Sequence, residues 1–260
     1  IGFENIIVVT NGLLLEKKSV ELVNSGVTHV TVSIDGFGSS NDEIRGIPGS
    51  YEISIRGIKA VQDAMKEAGR RVEITILTTI LLKNNFRDVP KLIEVARKMD
   101  VRWSFNLLDP NLDIFCGIPF HELLVQDEKI VDAVLDHIEK VHRESPWLVY
   151  TCDHMLEYAR NYLKGKKPYD FHCVHGYKMI YLGAHGEVYP GCWVMEPLGN
   201  LRRDRLCDLI GSEKHREAAL KMYNMECPGC TNRYEVNVSM KHLLSHWLFC
   251  RERKRPVEAE

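Results

Sequence analysis

Short apolar runs alternating with amphipathic stretches organise the first 107 residues. Asn5–Thr10 is a continuous, largely β-branched run closed by the turn pair Asn11-Gly12. Glu16–Ser25 has the pattern of a short helix stopped at Gly26, and Thr28–Ile34 predicts a second strand ending at Asp35-Gly36. Ser50 predicts an N-cap for a helix through Ala68, with Ile53, Ile58, Val61 and Met65 on one face and Gly69 at its end. Arg71–Thr79 predicts a third strand. Asp88 predicts the cap of the next helix, where Pro90 falls in the first turn and its missing N–H costs nothing. Val101–Leu107 predicts a fourth strand. Strands buried on both faces and separated by helices imply an α/β fold with a parallel sheet and right-handed crossovers.

Beyond Leu108 the chain is irregular as far as Gln126, with Pro110, Gly117 and Pro119. Asp127 then predicts the cap of a strongly periodic helix carrying Ile130, Val131, Val134, Leu135, Ile138 and Val141, and a second helix spans Asp153–Leu163 up to Gly165. The basic run Lys164–Lys167 reads as a solvated linker. Past Cys173 the pattern changes: Tyr177–Leu182 and Glu187–Pro190 flank Gly183-Ala184-His185-Gly186, a hairpin signal. A boundary near Pro168 divides the sequence into residues 1–167 and a small α+β domain over 168–260.

Composition narrows the function classes. Of 260 residues, 45% are hydrophobic and 27% charged, the mix of a chain that can bury a core, and the formal net charge of -2 gives no basic field for nucleic acid. No apolar run approaches the roughly 20 residues of a membrane span. The first residue is Ile1, which opens directly on a strand-like run, so a fragment of a longer protein is expected. The eight cysteines begin only at Cys116. A secreted disulfide scaffold would be shorter and more evenly studded, so clustered cysteines here point to metal or redox chemistry in a reducing cytoplasm.

Two places carry candidate chemistry. Ligands of parallel α/β sheets sit at the C-terminal strand ends, here Thr10, Asn11, Gly12, Ser33, Asp35, Gly36, Thr78, Thr79, Asn106 and Asp109; turn residues are common at such ends in any case. The second place is Cys173, Cys192 across the hairpin, and the Cys227-Pro228-Gly229-Cys230 turn. Four thiolates suit Zn²⁺ or an iron–sulfur cluster alike. A thioredoxin-type pair at Cys227 and Cys230 fits less well, because that motif opens a helix after a strand and this one follows a helix. Cys116, Cys152, Cys207 and Cys250 are single.

Val8-Val9-Thr10-Asn11-Gly12 resembles the third-strand segment of radical S-adenosylmethionine (radical SAM) barrels. Val30–Gly36, followed by Asp42-Glu43-Ile44-Arg45-Gly46 and Gly49-Ser50-Tyr51, resembles their fourth strand and its loop. Cys173, Gly186–Cys192, Gly199-Asn200-Leu201 and Cys227–Cys230 resemble the SPASM/twitch pattern of a C-terminal auxiliary-cluster domain, the shortened twitch form because Tyr234–Met240 has no cysteine. The resemblance covers about residues 5–60 and 173–235. The Cys-x-x-x-Cys-x-x-Cys motif of the AdoMet-cleaving [4Fe–4S] cluster and the Gly-Gly-Glu-Pro segment are absent from residues 1–260, as expected if two βα units precede Thr10-Asn11-Gly12.

The resemblance implies a partial parallel (β/α) barrel and a [4Fe–4S] cluster on Cys173, Cys192, Cys227 and Cys230. It implies AdoMet contacts at Ser33 (ribose or methionine part), Arg45 (carboxylate), Thr78 and Thr79 (sugar), and Asn106 and Leu107 (adenine). In the complete enzyme a second [4Fe–4S] cluster and AdoMet would supply a 5′-deoxyadenosyl radical that abstracts hydrogen from a peptide or small-molecule substrate. The electrons would come from a flavodoxin or ferredoxin. The present chain alone would be inactive. The alternative is a non-catalytic zinc- or cluster-binding partner protein derived from such a barrel. Catalytic residues and substrate are not legible. Asp35 is expected to form a local turn with Gly36, and the first strand to present an unpaired edge.

Overall fold

The computed structural model describes residues 2–109, 120–166, 172–227 and 236–237. Pro110, Cys116, Gly117, Pro119, Pro168, Cys230 and Cys250 lie outside them. The chain divides into two compact units, the first with residues 2–108 and 120–165, the second with 109, 166, 172–227 and 236–237.

The first unit runs β1 (Ile7–Thr10), α1 (Leu15–Asn24), β2 (His29–Ser33), α2 (Ser39–Arg45), α3 (Ser50–Ala68), β3 (Glu73–Thr79), α4 (Val89–Lys98), β4 (Arg102–Asn106), α5 (Phe120–Leu123), α6 (Glu128–Glu144) and α7 (Asp153–Leu163). Its strands form a four-stranded sheet in the order β1-β2-β3-β4, parallel throughout. The segment after α6 extends it: Trp103 N–H donates to the Leu148 carbonyl and Tyr150 N–H to the Trp103 carbonyl, each at 2.7 Å. Paired residues of a parallel register share a face. One face carries Val30 and Val32, Ile74 and Ile76, Trp103 and Phe105, all buried, and α4 packs on β3 and β4. The other face carries Thr31, Ser33, Thr75, Leu77, Thr79, Ser104 and Asn106, each half-exposed. The apolar runs therefore do not mark strands buried on both sides, because half of their positions hold small polar residues.

The helices start and stop for reasons partly local and partly not. Asp127 caps α6 by accepting from Lys129 N–H at 2.8 Å, as the sequence implies. Ser50 is the first residue of α3 and not its N-cap, which is Gly49. The α3 terminus is satisfied from α2: the Asp42 carboxylate accepts from Gly49 N–H at 2.6 Å, Ser50 Oγ at 2.9 Å and Tyr51 N–H at 2.9 Å. Asp88 likewise stands at the N-cap of α4 without capping it; its carboxylate reaches across to Phe37 N–H at 3.1 Å and Ser40 Oγ at 2.6 Å. At the start of the sheet, α1 lies against α3 so closely that a Cβ on Gly57 would stand 2.8 Å from Leu15 Cβ.

The second unit runs β5 (His172–Cys173), α8 (His175–Lys178), β6 (Tyr181–Leu182), β7 (Glu187–Tyr189), β8 (Gly199–Asn200), α9 (Leu206–Leu209), α10 (Glu213–Tyr223) and β9 (Val236–Asn237). The expected hairpin is present as β6-β7, extended by β8 into an antiparallel sheet, while β5 pairs with β9. No helix of the described residues is long and apolar enough to cross a membrane.

Candidate functional site at the strand ends

Asp35, two residues past the end of β2, organises the C-terminal rim of the parallel sheet. Its side chain is 9% exposed and pairs with Arg45, Oδ2 to Nη2 at 2.7 Å. Its Oδ1 accepts from Thr79 N–H at 2.8 Å, which ties the end of β2 to the end of β3. The Asp35 N–H donates to Asn41 Oδ1 at 2.9 Å, and Asn85 Nδ2 donates to the Asp35 carbonyl at 2.7 Å and to the Thr79 carbonyl at 2.6 Å. The expected local turn between Asp35 and Gly36 is thus replaced by long-range bonds, and Phe37 N–H goes to Asp88. Asn41, Asn85 and Asp88 were missed as parts of the rim. Their only sequence signal is that turn-forming residues sit where the strands end.

The six expected cofactor contacts fall in three different settings. Ser33 and Asn106 lie at the ends of β2 and β4 on the half-exposed polar face, with Thr79 paired to Asn106 on the strand between. Arg45 ends α2 and reaches Asp35 at the rim; its Nε is buried with no acceptor among the described residues. Thr78 lies on the opposite, helix-covered face and is fully buried. Its hydroxyl donates to the Ile34 carbonyl at 2.8 Å and accepts from Trp103 Nε1 at 3.0 Å, so both functions of that hydroxyl are engaged inside the core. Leu107 is also buried.

Electrostatics keep the surrounding loop fixed. Hydrogen bonding from Tyr51 N–H, opposed by burial and reinforced by Gly49 and Ser50, holds the Asp42 carboxyl below its usual value. Burial works against the charged form of Asp88, but the Ser40 hydroxyl, Phe37 N–H and Lys91 lower its pKa below the usual value all the same. Burial pushes the Tyr51 phenol up to about 12, and its ring lies 5.3 Å from that of Phe37. A partly exposed guanidinium that Asp35 engages at one nitrogen can take a polar ligand that carries a carboxylate.

In the second unit Cys173, Cys192 and Cys227 are half-buried cysteines that form no disulfide. The fourth expected ligand, Cys230, lies outside the described residues. Among those described, no group of three or more His, Cys, Asp or Glu is placed to hold a metal ion. The local packing does link the segments that carry them. Gly191, just before Cys192, has φ +85°, and a Cβ there would stand 2.3 Å from the His175 carbonyl oxygen. A Cβ on Gly176 would meet Ala219 Cα at 2.7 Å, and α10 packs on both α8 and β5. The turn before Cys192 therefore lies against the residues after Cys173, and α10 leads from that contact toward Cys227.

No family model matches the chain. It is similar to the Fe-coproporphyrin III synthase of Methanosarcina barkeri, 23% identical over 254 residues, which covers 86% of this chain and 61% of that protein. An AdoMet-dependent heme synthase of Nitratidesulfovibrio vulgaris is 38% identical over 104 residues, 38% of this chain and 26% of that protein. The sporulation killing factor maturation protein SkfB of Bacillus subtilis is 25% identical over 243 residues, 87% of this chain and 51% of that protein. The chain thus spans less than two-thirds of each of these relatives. Its fold is shared with a solved structure described as native anSMEcpe with bound AdoMet, at a TM-score of 0.58 and 20% identity, covering 98% of this chain and 69% of that one.

Proposed function

We propose that this chain, whose relatives support the radical SAM superfamily, is part of a radical SAM enzyme: it supplies a portion of the AdoMet site and an auxiliary-cluster domain. The observation that carries the reading is Arg45 at the strand-end rim, its side chain 28% exposed and its Nη2 paired with Asp35. A guanidinium engaged at one nitrogen and partly open to solvent has donors left for a ligand carboxylate. Ser33 and Asn106 on the polar face would take the ribose or methionine part and the adenine. Thr78 would support Trp103 and Ile34 behind them, and Thr79 would join the polar face in its place.

AdoMet bound to a reduced [4Fe–4S] cluster would supply the 5′-deoxyadenosyl radical that abstracts hydrogen from substrate. The Cys-x-x-x-Cys-x-x-Cys motif for that cluster is not in residues 1–260. A relative named for porphyrin chemistry and one named for maturation of a killing factor support a substrate class of small molecules or peptides. The electron donor would be a flavodoxin or ferredoxin. Thiolates at Cys173, Cys192, Cys227 and Cys230 would hold the auxiliary cluster, for which cysteine donors are chemically suited.

Two measurements test this. The coding sequence upstream of Ile1 should contain the three-cysteine motif within about two βα units, roughly one hundred residues. In the protein expressed with that sequence, Arg45→Ala should weaken AdoMet binding by about 1.5–3 kcal/mol, the scale of a hydrogen bond to a charged group, by anaerobic calorimetry. Unchanged binding removes Arg45 from the site.

A further inference from the structure

We infer that Asp35 is the positioning residue that aims Arg45 at a ligand carboxylate, an inference that rests on the rim reading above. Arg45 is the last residue of α2, a helix of seven residues that ends on Gly46 in the left-handed region, φ +65°. Its side chain is 28% exposed, on a long flexible stem whose rotamers are costly to restrict. Among the described residues Asp35 is its one ion-pair partner. Asp35 itself cannot swing: Thr79 holds its carboxylate, and Asn41 and Asn85 hold its main chain on both sides. The direction of the guanidinium is therefore set by a carboxylate that the ends of two strands and two neighbouring loops immobilise.

The way the pair is made leaves room for a second anion. Asp35 takes Nη2, while the Arg45 side chain stays 28% exposed. A guanidinium has five N–H donors and can serve two carboxylates at once. Asp35 would thus pre-order Arg45 without occupying all of its donors, which lowers the entropy cost of ligand capture. No feature of the sequence pattern around Val30–Gly36 distinguishes this role from a turn. It follows from the Asp35–Arg45 contact together with the partial exposure of the Arg45 side chain.

The test uses the protein with its native upstream sequence, cluster-loaded and anaerobic, and compares AdoMet with decarboxylated AdoMet. Asp35→Ala should raise the Kd for AdoMet about tenfold or more, roughly one hydrogen bond to a charged group, and leave the Kd for the decarboxylated ligand unchanged. Asp35→Asn, which keeps an acceptor for Thr79 and Arg45, should recover most of the affinity and serves if the alanine variant misfolds. Asp35→Ala combined with Arg45→Ala should bind AdoMet no worse than Arg45→Ala alone. Equal losses for the two ligands, or additive losses in the double variant, would show a merely structural tie and overturn the inference. If Arg45→Ala alone leaves AdoMet binding unchanged, the rim reading itself fails, an outcome separate from a silent Asp35.

Discussion

At the scale of single residues, side-chain type was legible in the sequence and side-chain partner was not. Thr78 sits on a strand end like Thr79, yet the alternation of β3 turns one into the core and the other toward the polar face. Thr78→Val should cost about 1–3 kcal/mol in urea unfolding, because it leaves Trp103 Nε1 buried without an acceptor, while AdoMet affinity stays unchanged. Asp35 reads as a turn residue, Asp88 as a cap and Asp42 as part of a loop, but their partners lie 44, 48 and 9 residues away in the sequence. Distances of that kind are created by the fold and have no local signal. The depressed pKa values of Asp42 and Asp88 give a pH dependence with a definite sign. Their stabilisation is complete above the ordinary carboxylate value of about 3.9 and is lost as pH falls through their lowered values. The urea midpoint should therefore drop as pH falls below about 4, and Asp42→Asn with Asp88→Asn should flatten that drop. A drop unaltered in the double variant would place the acid sensitivity elsewhere.

At the scale of elements, the long helices and all four strands of the parallel sheet were readable because each carries a period that packing then uses. Of the α6 pattern, Val131, Val134, Leu135, Ile138 and Val141 are buried and Ile130 is half-buried. The seven-residue α2 was missed, since it is too short to show a period and polar enough to pass for loop. The contact between α1 and α3 was also hidden, because a glycine inside a helix looks only like a weak position. Gly57→Ala makes the point measurable. Helix propensity alone favours alanine by about 1 kcal/mol, but the added Cβ would meet Leu15 Cβ at 2.8 Å and the Gly12 carbonyl oxygen at 3.3 Å. The Gly12 carbonyl and the Glu16 nitrogen, also at 3.3 Å, are backbone and cannot give way, so overpacking of about 1–3 kcal/mol should win. Thermal unfolding of Gly57→Ala should show a lower Tm than the parent; a higher one would mean that α1 moves freely on α3.

At the scale of the whole molecule, the two units differ in what can stabilise them. The first has a continuous apolar core that includes Val30, Ile58, Ile76, Trp103, Phe105, Leu135 and Ile138. Its weakness is β1, which among the described residues pairs only with β2 and leaves Ile7 58% and Val9 65% exposed. An apolar edge of this kind promotes association. In the second unit the buried apolar side chains among the described residues are Val188, Leu198, Ala219 and Met222, with Pro190 beside them. A metal site is a usual source of stability in domains of this size. The thiols Cys173, Cys192 and Cys227 are in no disulfide and with Cys230 would form that site, each binding only as thiolate. Anaerobic reconstitution should load one [4Fe–4S] cluster per chain on these four residues, seen as matched iron and sulfide. Stripping it should unfold the second unit while the first keeps its far-ultraviolet signal. One zinc per chain without sulfide would keep the ligands and remove the cluster. Full metal retention in Cys227→Ala and Cys230→Ala would remove the ligands too, and Cys207 or Cys250 would then be the next thiols to test.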